Sequence, residues 1–108
     1  MKLGRTKEMS SISNMPIAQA GLKMDGSEEY VWDVYQKSVK MPTYLVAFVV
    51  SKFSYVEAEK RSNNVRFRIW SQPSTLDQTA YAKEMGPQML EFFENYFNVP
   101  FPLPKQVC

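Results

Sequence analysis

Hydrophobic positions in the first sixty residues follow no helical period. Residues 9–15 alternate weakly through Ser11, Ile12 and Ser13 before Pro16, and 17–22 reads as a short strand. Lys23-Met24-Asp25-Gly26-Ser27 is a turn, because Asp-Gly supports a positive φ. Residues 30–35 place Val31, Trp32, Val34 and Tyr35 around Asp33, a β-branched and aromatic run that predicts a strand. After Pro42, residues 43–50 are apolar on both parities. That pattern predicts a central strand covered on both faces, where Val49→Asp costs several kcal/mol, on the order of a buried unpaired charge. Residues 65–70 alternate Val65, Phe67, Ile69 against Arg66, Arg68, Trp70, a half-buried strand with a basic face. A polar turn over 60–64 joins it to the strand before it as a hairpin.

The period changes at Pro73. Ser74 and Asp77 fit a capping box. Leu76, Ala80, Met85, Met89, Leu90, Phe93 and Phe97 then recur at roughly helical spacing. Pro87 removes one helical hydrogen bond, so the helix should kink or split there. Pro100, Pro102 and Pro104 predict an extended, polyproline-like exit. The expected fold is α+β: mainly antiparallel strands followed by a C-terminal helix kinked or split near Pro87. The extended exit stops after only four more residues, so the chain reads as a piece of something larger.

Composition narrows the chemistry. With 108 residues, 44% hydrophobic and 22% charged, the chain is globular in character. A net charge of +2 gives no reason to expect a nucleic-acid partner. There is no histidine and only one cysteine, Cys108. Ser-His-Asp and Cys-His catalysis and Cys/His zinc sites are therefore unavailable within this sequence. A carboxylate-only Mg or Ca site stays open. The N-terminal residues are too charged for a signal-peptide core, and no apolar run is long enough to span a membrane.

Each cluster with chemical potential has a plainer reading beside it. Arg66 and Arg68, with Lys52 and Lys60 in range, fit an anion or carboxylate site, or simply a solvated strand face. Glu84, Glu91 and Glu94 fit acid–base or Mg chemistry, or a wet helix face. Asp25, Glu28 and Glu29 do not match a Ca-binding loop and read as an exposed turn. Cys108 has only Lys105 as a basic neighbour, which is little to activate a thiol. Phe92, Phe93, Tyr96, Phe97 and Phe101 are more aromatics than one helix and a few strands can cover, and so predict a contact surface. From the residues alone there is no catalytic, cofactor-binding or metal site.

Four stretches nonetheless resemble the M1 family of zinc aminopeptidases, of the aminopeptidase N type. They are Ser13-Asn14-Met15-Pro16; Lys-Met-Pro-Thr-Tyr-Leu-Val-Ala-Phe-Val-Val-Ser over 40–51; Val-Arg-Phe-Arg-Ile-Trp-Ser-Gln-Pro over 65–73; and Gly-Pro-Gln-Met-Leu-Glu-Phe-Phe-Glu-Asn-Tyr-Phe-Asn-Val-Pro-Phe-Pro-Leu-Pro-Lys over 86–105. Their order and spacing are more specific than any one of them. The resemblance implies that 1–53 is the end of the family's N-terminal β-sandwich or saddle domain. It implies that 54–108 is the start of a thermolysin-like catalytic domain. The family's Gly-x-Met-Glu-Asn and His-Glu-x-x-His motifs have no matching positions here, so no family site residue carries over. The implied function is a fragment of a zinc metallo-aminopeptidase that removes N-terminal residues from peptides, inactive alone, with the zinc held elsewhere in the parent. The alternative is a short non-catalytic isoform that acts as an interaction module. Expected partners are peptide substrates for the parent, and the rest of the aminopeptidase or another protein through 92–101. The implied parent is a cell-surface or secreted protein, with the cytoplasm as second choice.

Overall fold

The computed structural model describes residues 1–61 and 64–108. The chain forms two compact units, Met1–Lys52 and Phe53–Cys108.

The first unit holds β1 (Lys2–Thr6), β2 (Ser10–Ser13), β3 (Ile17–Met24), β4 (Ser27–Tyr35) and β5 (Phe48–Ser51). β1, β4 and β3 form an antiparallel sheet with β4 in the middle. The expected turn closes the β3–β4 hairpin: Met24 pairs with Ser27, and Gly26 takes φ +82° between them. β4 forms over the predicted run and alternates, burying Val31, Asp33 and Tyr35 on one parity. Leu3 stands opposite Asp33 and Arg5 opposite Val31, so β1 adds both to the buried face. β1 itself was not foreseen, because the charged opening residues lack the β-branched enrichment that marks a strand.

The apolar run over 43–50 corrects its expectation. Thr43–Leu45 is a 3₁₀ turn begun by Pro42, whose carbonyl accepts from Leu45 N–H at 3.1 Å. Only Phe48–Ser51 is a strand, and it pairs with β2 in a two-stranded sheet. Tyr44 is 84% and Phe48 60% exposed, so the segment is neither central nor covered on both sides. Pro42 supplies the preset φ that starts the turn. Asn14 then takes up the backbone between turn and strand: its Nδ2 donates to Leu45 O at 3.1 Å and its Oδ1 accepts from Ala47 N–H at 2.8 Å. Val49 is half open to solvent, so a charge there is not desolvated and the large cost expected of Val49→Asp does not apply.

The second unit holds β6 (Ser54–Glu57), β7 (Arg66–Ser71), α1 (Ala80–Phe97) and β8 (Lys105–Val107). β6 and β7 form the expected antiparallel hairpin. Of the residues 60–64 between them, Ser62 and Asn63 lie outside the described residues; Asn64 takes φ 57° and donates to Arg61 O at 3.0 Å. β7 alternates as foreseen, with Phe67 and Ile69 buried and Arg66 exposed. The proline-rich exit is not only extended. It delivers β8 alongside β7, in parallel, so that β7 becomes the middle strand of three. The bonds run from Arg66 N–H to Pro104 O, Trp70 N–H to Cys108 O and Cys108 N–H to Arg68 O. A helix joining two parallel neighbours is the βαβ arrangement.

The capping box over Ser74 and Asp77 does not form. Pro73–Thr79 is a 3₁₀ helix entered from Gln72 with no side-chain cap bond. Pro at the first position presets the turn, and Thr75, not Ser74, takes up the local bonds, with Oγ1 2.5 Å from Ser71 Oγ and donating to Gln72 O. α1 then runs unbroken through Pro87, so the helix does not split. Asn98 ends it in the left-handed conformation, φ 53°, with its N–H returned to Asn95 O and Glu94 O.

The core of this unit is Ala58, Phe67 and Ile69, with Val56 and Leu90 against it. α1 approaches β7 through Gly86, where any side chain would collide with the Phe67 ring; a Cβ would lie 2.6 Å from Phe67 Cε1. Pro87 beside it is buried. The inward stripe therefore passes through Gly86, Pro87 and Leu90, whereas Met89, Phe93 and Phe97 of the expected stripe face outward.

Gly86→Ala should lower the stability of this unit by about 1–3 kcal/mol, the usual cost of overpacking a core. Phe67→Leu combined with it should recover part of that loss, because the ring is what a Cβ meets. Urea melts of both variants test this; equal stability of Gly86→Ala and the parent would show that the helix can move aside.

Candidate functional site

The basic face of β7 forms as expected. Glu57 bridges it from β6: Arg66 Nε lies 3.5 Å from Oε1, while Arg68 Nη2 lies 3.1 Å from Oε2. Arg68 also stacks over the Tyr55 ring at 4.2 Å. Lys52 is paired with Glu8 at 2.9 Å within the first unit, and Lys60 lines a separate cleft in the second. Lys105, on β8, stands in register with Arg66 and joins this face. Burial, then the charges of Arg68 and Arg66, bring its pKa down to about 8.

The three helix carboxylates gather only in part. Glu84 and Glu91 line an open cleft of about 600 Å³ with Lys60, Arg61 and Lys83. Glu91 is held by Arg61 Nε at 2.5 Å. Glu94 turns to the tail, where it accepts from Phe101 N–H at 2.9 Å. A carboxylate neutralised by Arg is a poor proton acceptor, and these carboxylates do not converge on one point. Asp25 and Glu28 flank a second open hollow beside the Gly26 turn, and Asp25 and Glu29 are exposed. Cys108 is exposed as a residue, yet its thiol is partly sheltered. Burial pushes its pKa up, against a hydrogen bond from Gln106 that lowers it. A thiol so held is a weak nucleophile.

The tightest polar cluster was not anticipated. Asp33 is 1% exposed. Its Oδ2 accepts from Arg5 Nε and from Ser11 Oγ, both at 2.5 Å. Its Oδ1 accepts from Arg5 Nη2 at 3.1 Å and from Gly21 N–H at 2.9 Å. Ser11 Oγ lies 2.7 Å from Tyr35 Oη. Gly21 reaches the carboxylate because it takes φ +68° among the register shifts of β3. Burial alone would raise the Asp33 pKa, but these hydrogen bonds and the Arg5 charge outweigh it and hold the carboxyl below its usual range. Four donors fill the carboxylate's acceptor capacity, so the cluster is a structural tie, with no lone pair left for chemistry. Its signal in the sequence was Asp33 placed on the apolar parity of a strand.

The aromatic expectation holds on the helix. Phe92 (61%), Phe93 (51%), Tyr96 (71%) and Phe97 (64%) are exposed. They form a connected series of rings: Phe92 stacks on Tyr96 at 6.0 Å, Phe93 on Phe97 at 6.0 Å, and Tyr96 meets Phe97 edge-on at 5.0 Å. Phe101 is half-buried and leaves the group.

No family model matches the chain. Curated relatives do. The chain is 38% identical over 106 residues to endoplasmic reticulum aminopeptidase 1 of Mus musculus, covering 98% of this chain and 11% of that protein. It is 41% identical over 98 residues to aminopeptidase M1 of Arabidopsis thaliana, covering 91% and 11%. It is 38% identical over 90 residues to aminopeptidase N of Haemonchus contortus, covering 80% and 9%. The chain belongs to the M1 aminopeptidase family. It spans about a tenth of the length of the relatives it matches. The zinc ion implied by the M1 family has no fitting donor set in this segment: the sequence has no histidine, and among the described residues no three Cys, Asp or Glu side chains are placed to hold a metal. No helix among the described residues is long and apolar enough to cross a membrane.

Two outcomes follow for the M1 segment. Asp33→Asn should destabilise the first unit by about 3–5 kcal/mol, because Arg5 is left buried without its counter-charge. The carboxyl's depressed pKa contributes stability that is full above the ordinary carboxylate value and lost as pH falls through its folded value. The variant should therefore lose the acid limb of the parent's stability–pH curve; an unchanged limb in urea melts would place the acid sensitivity elsewhere. Separately, Phe92→Ser with Phe97→Ser should shift stability by no more than about 0.5 kcal/mol, the usual range for surface changes. The same pair should reduce binding of a hydrophobic dye.

Proposed function

We propose that this chain is part of a zinc metallo-aminopeptidase that removes N-terminal residues from peptides. In this reading 1–53 closes the N-terminal β domain and 54–108 opens the catalytic domain. The observation that carries it is identity of 38–41% over nearly the whole chain to aminopeptidases roughly nine times its length. The division of the chain after Lys52 supports a junction at that point. The exposed rings of α1 support the same reading, since a helix that is apolar on several sides is made to be enclosed.

The segment then contributes framework and no reacting group. Glu91 is neutralised by Arg61, Glu94 is bound to the Phe101 amide and Asp33 is saturated, and the sequence offers no histidine to bind zinc. Zinc and the water it activates belong to motifs outside these residues. Peptide substrates would be those of the whole enzyme, and the rest of the aminopeptidase would be the partner of the 92–101 region. A short non-catalytic isoform is the second reading, favoured by the same rings.

The purified chain, supplied with zinc, should release no arylamine from aminoacyl arylamides. Chelator-sensitive release would overturn the assignment of framework. In the source tissue, antibody to the Trp32 region should detect a native species far above 12.5 kDa. A band at 12.5 kDa would favour the short isoform instead.

A further inference from the structure

The face of the β6–β7–β8 sheet turned away from α1 carries more positive charge than it can neutralise. Arg66 and Arg68 recur at alternate positions of β7, Lys105 stands in register with Arg66 on β8, and Glu57 is the carboxylate that the two arginines share. Arg66 is 44% exposed at its side chain, so the face is open. No ion pair among the described residues reaches Lys105, which stands half-buried beside the arginines. Trp70 lies on the same face, beside Tyr55 at 4.7 Å, and among the described residues its sheltered indole Nε1 has no acceptor. A sheltered donor without a partner is costly, and a carbonyl or carboxylate oxygen relieves it after a small turn of the ring.

We propose that Arg66, Arg68 and Lys105 form a docking surface for an extended acidic polypeptide segment, with Trp70 beside them as a further donor. The match is one of spacing as well as sign. Side chains at alternate positions of an extended strand share one face, so carboxylates at alternate positions of the partner meet Arg66 and Arg68 in step. Guanidinium groups take carboxylates in two-point contact, which favours Glu or Asp over a diffuse anion. Burial first, and then the charges of Arg68 and Arg66, depress the Lys105 pKa, so the neighbouring positive charge is felt at the ammonium group.

The test uses the full chain and a labelled peptide alternating Glu and Ser, against the same peptide with Gln for Glu, at low ionic strength. Anisotropy should show binding of the Glu peptide alone, lost at about 0.5 M salt. Arg66→Gln and Lys105→Gln should each weaken it about threefold to fivefold, the range for a partly exposed ion pair. Glu57→Gln, which frees both arginines, should tighten it by a similar factor, so the surface can be tested by gain as well as loss. The Trp70 indole proton should shift in the NMR spectrum on binding. Equal binding of the Glu and Gln peptides would overturn the proposal. So would binding indifferent to all three substitutions, or tighter binding of an oligonucleotide than of the acidic peptide.

Discussion

Two units of some fifty residues each have little interior to share out, and that constraint shapes everything else in this chain. Among its described residues the second unit buries Ala58, Val65, Phe67 and Ile69 and few other apolar side chains. What brings even these under cover is the approach of α1 to β7 across Gly86, where the absence of a side chain lets the Phe67 ring sit against the helix backbone. The helix can thus cover one face of the sheet, and the chain can return beyond Pro104 as a parallel third strand. The price of so small a core is apolar surface left in solvent on the helix and along β5.

The first unit meets the same shortage differently. It buries a charged pair, Arg5 and Asp33, and satisfies it completely with Ser11 and the Gly21 amide. Such a pair adds less net stability than apolar packing would, but it fixes which residues face inward, since any register slip leaves a buried charge alone. Polar cross-ties recur around it: Asn14 bonds both Leu45 and Ala47, and Ser13 Oγ reaches Ala47 O at 3.0 Å.

Under the proposed function, the surplus apolar surface and the similarity to much longer aminopeptidases explain each other. A helix with Phe92, Phe93, Tyr96 and Phe97 in the open is at odds with an isolated small domain and at ease inside a large one. Two of the helix carboxylates that looked free in the sequence are bound, Glu91 to Arg61 and Glu94 to the Phe101 amide.

Local patterns were legible from the sequence. The Asp25-Gly26 turn, the alternation of β7, the β6–β7 hairpin and the uncovered aromatics of the helix follow from backbone preference and from periods of two or nearly four, which neighbours along the chain settle among themselves. Tertiary structure alone decided the rest. An apolar run reports that a surface suits being covered without saying what covers it, so 43–50 became a turn and a short strand exposed in this chain. Ser74 and Thr75 are equally good hydroxyls, and the 3₁₀ entry at Pro73 decided between them. β1, β8 and the Arg5–Asp33 tie each depend on partners 24 or more residues away, and no local pattern carries that distance.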